Sequence, residues 1–349
     1  MAEKTRLLKP DQLSLFATQI SLFLRSGLSL TEGLTLMEED IGDSRFRTCI
    51  TKVLEGVEGR RPLHDAMRNA GGFPEYMLRM AEIGEFSGRL EGMMNALSLF
   101  YEREQNLRQR VKSAVTYPLL LLLMMTAVVF LLIVRVLPMF DRLLGDLGGS
   151  MPSFVRGLMN FGAFTSKWYI AILATIAALI LFWIVFKRTA AGRSCIDVFK
   201  ASFPVVRGLY RKMAAERFAT AMSFLLAGSV DLEISLDLAK DILGNRHMSK
   251  KINSCLSMMQ SGSALHDALY QCGIFPRQFS KMLAIGFKSG EMDSMMERLA
   301  GIYEQEVDSS LRRLTGAIEP AFVALLSVVV GIIMVSVMLP LIEAMSNIG

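Results

Sequence analysis

The sequence predicts an all-α fold, made of two homologous helical-bundle domains and three transmembrane helices. Three observations predict it: a tandem repeat with a constant offset of 202 residues, a helical spacing of apolar residues inside each repeat, and three long apolar runs. No stretch alternates between apolar and polar residues as a half-buried β-strand would. A length of 349 residues suits two or three domains.

The tandem repeat is most visible where LHDAMRNAGGFP, at residues 63–74, returns as LHDALYQCGIFP at residues 265–276. The offset of 202 residues holds without a gap over a long stretch. One unit is therefore a bundle followed by an apolar span, and the middle span is extra. Pairs related by the offset include Phe73 and Phe275, Pro74 and Pro276, Pro118 and Pro320, and Pro138 and Pro340.

Three apolar runs, at residues 118–137, 168–186 and 321–342, account for a chain that is 52% apolar and 20% charged. A helix needs about 20 apolar residues to cross about 30 Å of hydrocarbon. The second and third runs contain no charged residue, and the first contains only Arg135, near its end. We therefore expect three transmembrane helices.

The orientation of these helices follows from the side on which Lys and Arg cluster. Positive residues precede the first span, follow the second and precede the third, so both bundles are expected in the cytoplasm. The extra middle helix brings the second bundle back to that side. The predicted segments are a cytoplasmic bundle at 1–112, a transmembrane helix at 113–137, a periplasmic loop at 138–167, a transmembrane helix at 168–186, a second cytoplasmic bundle at 187–316, a transmembrane helix at 317–342 and a short periplasmic tail at 343–349.

Each bundle is expected to contain about six helices, because its apolar residues recur at three- and four-residue spacings. No Pro or turn cluster lies between Leu90 and Tyr117. The last helix of the first bundle should therefore continue into the first span and couple the bundle mechanically to the bilayer.

The neighbouring His and Asp of each repeat do not form a catalytic pair. Residues i and i+1 of a helix point in different directions, so His64 cannot use Asp65, nor His266 Asp267. Pro62 suits the first turn of a helix, and an Asp in that turn is favoured by the helix dipole. We interpret these residues as helix-start chemistry.

The sequence carries no motif of an enzyme or a resident cofactor. HExxH, CxxC, EF-hand, phosphate-loop and GxSxG patterns are all missing from it. A carboxylate metal site at a subunit contact stays open, because such sites leave no short sequence pattern. The net charge of +5 reflects membrane topology, and we expect no nucleic-acid partner.

Two glycine-rich turns, IGEFSG at residues 83–88 and IGFKSG at residues 285–290, are candidate partner-binding sites. A tight interhelical turn or close helix packing is the first interpretation, and a docking surface is the alternative. Glu85 has no equivalent in the second copy, where Phe287 stands, so the first copy is the better candidate for docking. The glycines concerned are Gly84, Gly88, Gly286 and Gly290.

Arg135 and the span prolines are the remaining candidates. Arg135 lies about two residues from the outer end of its span, where it can snorkel to the interface. The alternative is an ion pair with an acid on a membrane partner. Pro138 and Pro340 are expected to end or kink their helices at matching depths.

These residues and motifs resemble those of the type II secretion system F family. They are the repeat itself, L-x-x-A-[ML] followed by F-P, IGE-x-SG-x-L, TYPLLLLL, LPMF, MPSFVRGL and IEPAFVALL. The resemblance covers nearly the whole chain. The second copy departs from the pattern at Ser229, which takes the place of Gly27, and at Phe287, which replaces an acid.

The resemblance implies an inner-membrane platform protein of type II secretion or type IV pilus assembly. Its implied partners are a hexameric cytoplasmic assembly ATPase, pilins or pseudopilins, other inner-membrane subunits of the machine, and a second copy of the chain, with a dimer favoured. The platform would not be an enzyme and would bind no cofactor. The alternatives are a transporter or channel subunit built on an internal repeat, and a membrane sensor or scaffold for signalling.

Overall fold

A computed structural model describes residues 7–146, 157, 204–228, 230–243 and 246–346. The regular elements within these residues are all helical, which confirms the all-α prediction. The predicted second span, at residues 168–186, lies outside the described residues, as does most of the loop that precedes it.

The first repeat folds into six helices, as the apolar spacing predicts. Side chains at helix starts define several of the boundaries: the Ser29 Oγ accepts from the Glu32 N–H at 3.2 Å, and the Glu32 carboxylate accepts from the Ser29 N–H at 3.1 Å. The helices are α1 Pro10–Ser26, α2 Leu30–Asp40, α3 Ser44–Glu58, α4 Leu63–Ala70, α5 Glu75–Phe86 and α6 Leu90–Leu131.

A π-helical turn at Leu132–Val136 and helix α7, Leu137–Asp146, continue α6. The turn directly precedes Pro138, whose ring would clash with the carbonyl of Val134 in a regular α-helix. The wider π turn accommodates this ring. Pro138 therefore alters the helix without ending it. Of the two expected outcomes at Pro138, an end of the helix or a kink, the first does not occur.

The second repeat also has six helices, and five of them begin 202 residues after their counterparts. The repeat therefore fixes the register of the fold as well as that of the sequence. The helices are α8 Pro204–Ala227, α9 Leu232–Leu243, α10 Arg246–Gln260, α11 Leu265–Gln271, α12 Arg277–Ser289 and α13 Met292–Ser346.

Equivalent aromatic pairs lie at the centre of the two bundles. The rings of Phe16 and Phe73 are 4.9 Å apart, and those of Phe218 and Phe275 are 5.7 Å apart. All four side chains are buried. The FP motif thus supplies a core phenylalanine, and its proline directly precedes the next helix, as Pro74 and Pro276 do.

The chain forms two compact units. The first joins both bundles, Met1–Arg110 with Val205–Asp308, and the second contains Val111–Pro204 with Ser309–Gly349. Within the first unit, residues of α8, of α9 and of the turn between them complete the core of the first bundle. They are Ala221, Phe224, Leu225, Val230 and Leu238.

Two helices are long and apolar enough to cross a membrane, at Leu90–Arg142 and Met292–Val335. Almost none of their most apolar segments is buried in the structure. Pro118 lies inside α6, and Pro320 and Pro340 lie inside α13, so none of these prolines ends its helix. A bilayer is the solvent that suits such exposed apolar helices.

Candidate functional site: a charged joint between the two bundles

Charged residues of α6, α8 and α13 meet in one cluster, which we call the charged joint. The Arg110 guanidinium donates to the Asp308 carboxylate at 3.1 Å and contacts the Glu304 carboxylate at 2.9 Å. These contacts tie α6 to α13. The members of the charged joint are Glu104, Arg110, Glu216, Arg217, Glu304 and Asp308.

A second pair in the joint ties α8 to α6. Arg217 donates to the Glu104 carboxylate at 2.8 Å, and Arg108 donates to the same carboxylate, also at 2.8 Å. Glu104 is largely buried, so water screens this pair less than it screens an ion pair on the surface. Helices α6, α8 and α13 are thus linked by the charged side chains of the joint.

Glu216 is the most unusual member of the joint, because only 5% of it is exposed. Burial raises the pKa of its carboxyl from 4.5 to about 7, against the opposing effect of the Arg110 charge. Its Oε2 atom has no hydrogen-bond partner among the described residues, and neither has the Nε atom of Arg110. The joint therefore contains a titratable group near neutral pH, but no nucleophile beside a base.

Further contacts between the bundles lie outside the charged joint. Arg79 of α5 donates to Asp237 and Asp241 of α9, each at 2.9 Å. Arg103 of α6 lies 5.1 Å above the Phe224 ring, a cation–π arrangement. Polar and apolar contacts thus hold the second bundle against α5 and α6.

Glu85, a predicted docking residue, caps helix α4. Its carboxylate accepts from the backbone N–H of Leu63 at 2.5 Å and of His64 at 3.1 Å, and it also contacts the His64 ring nitrogen Nδ1. Pro62, expected in the first turn of this helix, directly precedes it instead. Asp65 does lie in the first turn, and its Oδ1 is 3.6 Å from Nε2 of His64, beyond hydrogen-bond distance.

The second copy lacks this cap. Phe287 replaces Glu85 and is half exposed, and the buried Nδ1 atom of His266 has no partner among the described residues. Asp267 again lies in the first turn, with its Oδ2 3.6 Å from His266 Nε2. Sequence reasoning noticed the missing acid but not its role, because the capping residue is 22 positions away from the helix that it caps.

The glycines of the two turns lie either at close contacts between helices or at left-handed backbone positions. A Cβ on Gly84 would lie 3.0 Å from the Leu90 Cα, and one on Gly286 would lie 2.4 Å from the Met295 Cγ. Gly88 and Gly290 have φ angles of 69° and 77°, in the left-handed region that favours glycine. These positions therefore allow α5 to pack on α6, and α12 on α13, through a tight turn.

The remaining candidates stand apart from the joint. Arg135 lies exposed in the π-helical turn of the first apolar helix. Cys49 and Cys255 are buried, and burial raises their pKa values to about 11 and about 12, so both are poor nucleophiles. The described residues contain no group of three or more His, Cys, Asp or Glu side chains placed to hold a metal ion.

Two repeated six-helix bundles, joined by ion pairs and each extended by a long apolar helix, define an all-helical protein whose apolar helices are suited to a membrane. Comparison with known protein families identifies the family to which the chain belongs. The family described as protein F of the type II secretion system matches residues 16–138 and again residues 218–340. The chain belongs to this family, and the two matched segments repeat the 202-residue offset.

Relatives cover nearly the whole chain. The type IV pilus assembly protein PilC of Thermus thermophilus is 31% identical over 338 residues, which are 97% of this chain and 83% of that protein. PilC of Pseudomonas aeruginosa is 26% identical, over 98% of this chain and 92% of that protein. The type II secretion system protein F of Vibrio cholerae is 27% identical, over 98% of this chain and 84% of that protein.

Proposed function

We propose that this chain is the inner-membrane platform of a type IV pilus or type II secretion machine. In this role it couples a cytoplasmic assembly ATPase to the insertion of pilins into a filament. Support comes from relatives named for pilus assembly and for type II secretion. The chain itself would catalyse no reaction, and the ATPase would supply the free energy.

The single observation that carries the coupling is the charged joint. Helices α6 and α13 each begin in a bundle and run on into an apolar segment, and the contacts of Arg110 with Glu304 and Asp308 join them before those segments begin. A displacement of either bundle would therefore move both helices together. With a rise of 1.5 Å per residue, the 42 residues of α6 alone extend roughly 60 Å.

The proposed topology puts both bundles in the cytoplasm, where an ATPase can reach them. Lys and Arg flank the bundle ends of the apolar helices, at Arg108, Arg110 and Lys112 before the first and at Arg312 and Arg313 before the third. The N-terminus would then be cytoplasmic and the C-terminus periplasmic. Partners in the bilayer would include pilins or pseudopilins and the other membrane subunits of the machine.

Reversal of the charge in the joint tests this proposal. In a strain without the wild-type gene, Arg110→Glu should lower the number of surface filaments, or the amount of secreted protein, at least tenfold, because like charges would then face each other across α6 and α13. The protein should still reach the membrane and co-purify, as the full-length chain in detergent, with the assembly ATPase of the same machine.

Two variants control this experiment. Lys112→Glu changes the same charge on the same helix at an exposed position outside the charged joint, and should assemble filaments normally. Adding Glu304→Arg to Arg110→Glu re-pairs the charges and should recover part of the activity. Normal assembly by Arg110→Glu, or failure of the wild-type chain to bind the ATPase, would contradict the proposal.

A further inference from the structure

The contact between the two bundles is made by two unlike faces. The second bundle contributes its front face, which we define by α8 and α9 with Phe224, Val230 and Leu238. The first bundle contributes its back face, defined by α5 and α6 with Arg79 and Met93. Since the bundles are repeats of one fold, each also has the other face.

The front face of the first bundle is exposed in the structure. Its equivalent residues, 202 positions earlier, are Leu22, Leu28 and Leu36, which are 43%, 40% and 54% exposed. Phe224, Val230 and Leu238 are 9%, 7% and 0% exposed at the contact inside the chain. The front face of the first bundle is thus an apolar surface exposed to solvent, whereas the equivalent face of the second bundle is buried.

The back face of the second bundle is exposed as well. Ile285, the equivalent of the partly buried Ile83, is 65% exposed. Met295 is partly exposed where its equivalent Met93 is buried, and Lys281 is exposed at the position equivalent to Arg79. One front face and one back face therefore remain uncovered by the described residues.

We propose that the uncovered front face of one chain docks on the uncovered back face of a second copy of the same chain. The new contact would reproduce the geometry of the contact inside the chain, with apolar residues at the same positions. Such a contact between unlike faces continues around a closed ring or along an open array. In a dimer, four bundles would close the ring with two contacts inside chains and two between chains.

Charge complementarity supports a second copy as the occupant. Inside the chain, Arg79 donates to Asp241 at 2.9 Å. Between chains, the equivalent positions hold Lys281 on the back face and Glu39 on the front face, both exposed. The sign of both charges is retained, so this pair would attract as Arg79 and Asp241 do. Thr35 stands at the position equivalent to Asp237, so the second internal partner of Arg79 has no acidic counterpart.

The contact between chains should be weaker than the one inside. Leu15 stands at the position equivalent to Arg217, so the counterpart of the buried Arg217–Glu104 pair is missing. Gln305 replaces Arg103, which also removes the cation–π contact with the front face. The inference goes beyond the proposed function, because it concerns only how copies of the chain recognise each other.

Photo-crosslinking of the full-length chain tests which faces meet. A benzoyl-phenylalanine at Leu36 of an isotopically light chain, mixed in lipid nanodiscs with a heavy chain, should crosslink to the heavy α12 near Ile285. The same probe at the exposed Tyr270, which lies on neither face, should give no such product. A crosslink from the front face of the light chain to the front face of the heavy chain would overturn the proposal. So would the absence of any crosslink between chains, or the capture of only a different protein in intact membranes.

Self-association of purified variants tests the energetics. Leu36→Asp and Ile285→Asp should each weaken association at least tenfold, and the matched control Tyr270→Asp should leave it unchanged. Circular dichroism checks that each variant is folded. Glu39→Lys and Lys281→Glu should each weaken association alone, and mixing the two variants should restore it because every contact then joins opposite charges. Unchanged association in the two Asp variants would refute the proposal.

Discussion

Glu85 and Glu216 show how a single carboxylate takes its role from its surroundings. Glu85 faces the start of α4 and accepts hydrogen bonds from the first two N–H groups of that helix. These groups have no partner within the helix itself. Glu216 instead lies buried among charges, with one oxygen unpaired. The first residue stabilises the fold, and the second makes the stability of the joint depend on pH.

The cap can be removed from one copy and added to the other. Glu85→Gln should lower the free energy of unfolding by about 1–3 kcal/mol, because the amide accepts these bonds less well than the carboxylate does. Phe287→Glu should raise it by about 0.5–1 kcal/mol by supplying the partner that His266 lacks. Thermal and denaturant unfolding of the full-length chain in detergent measure both changes. The more exposed Glu82→Gln, on the same helix as Glu85, should change little, and an equal loss there would contradict the capping role.

Glu216 should make unfolding depend on pH. Its folded pKa of about 7 lies above its ordinary value of 4.5, so the folded state holds the proton in a range where the unfolded state releases it. Stability should therefore fall as pH rises from about 4.5 to about 7, by up to about 3 kcal/mol. Glu216→Gln should remove this slope and make the chain more stable than wild type at pH 8.

Unfolding temperatures of wild type and Glu216→Gln between pH 4.5 and pH 8, followed by circular dichroism, measure the effect. Glu291→Gln alters an exposed carboxylate and should leave the slope as it is. Parallel pH curves for wild type and Glu216→Gln would show that another group titrates.

At the scale of the elements, tight turns let the last two helices of each bundle pack closely. Gly84 brings α5 against α6 at Leu90 and Met93, and Gly88 then reverses the chain in a left-handed conformation. The second copy repeats the arrangement with Gly286 and Gly290. The last helix of each bundle is therefore fixed against the bundle core before it enters its apolar segment.

An added methyl group tests this packing. Gly84→Ala should destabilise the chain by about 1–3 kcal/mol, because the new Cβ would lie 3.0 Å from the backbone of Leu90 and the backbone moves only at a cost. Gly92→Ala, on α6 in open space, should instead stabilise by about 0.5–1 kcal/mol through helix propensity. Chemical denaturation compares the two, and equal effects would show that the α5–α6 contact is loose.

Sequence reasoning predicted the elements well because the repeat supplies them twice. The number of helices in each bundle follows from the apolar spacing, and the helix starts at Leu63 and Leu265 follow from the helix-start residues and from the offset. The packing of one bundle on the other could not be predicted from the sequence. The repeat indicates the fold of each copy, but it does not indicate which faces of the two copies are in contact. The π turn before Pro138 could not be predicted from the sequence either. A proline indicates that a regular α-helix is disturbed, but it does not specify the backbone conformation that accommodates the ring.

At the scale of the whole molecule, duplication gives one chain two helices that leave a single compact body. The ion pairs of Arg110, Arg217 and Arg79 hold the two bundles in that body. Each copy then extends into an apolar helix, at Leu90–Arg142 and Met292–Val335. Under the proposed function, this architecture would carry motion of the assembly ATPase to the apolar helices.

The stiffness of α6 is the central claim, and it can be tested without changing the length of the chain. Residues 111–114 of α6 are partly or fully exposed, between the bundle and the apolar segment. Replacing all four with glycine lowers helix propensity by about 4 kcal/mol relative to an all-alanine segment, and both variants lose the side chains of Val111, Lys112 and Ser113. The alanine variant needs only three substitutions, because Ala114 is already alanine. The measurement is the number of surface filaments, or the amount of secreted protein, in cells that carry either variant at equal membrane levels. We predict at least a tenfold loss for the glycine variant and near-normal assembly for the alanine variant, with the ATPase bound by both. Equal assembly by the two variants would contradict the transmission of force through this helix.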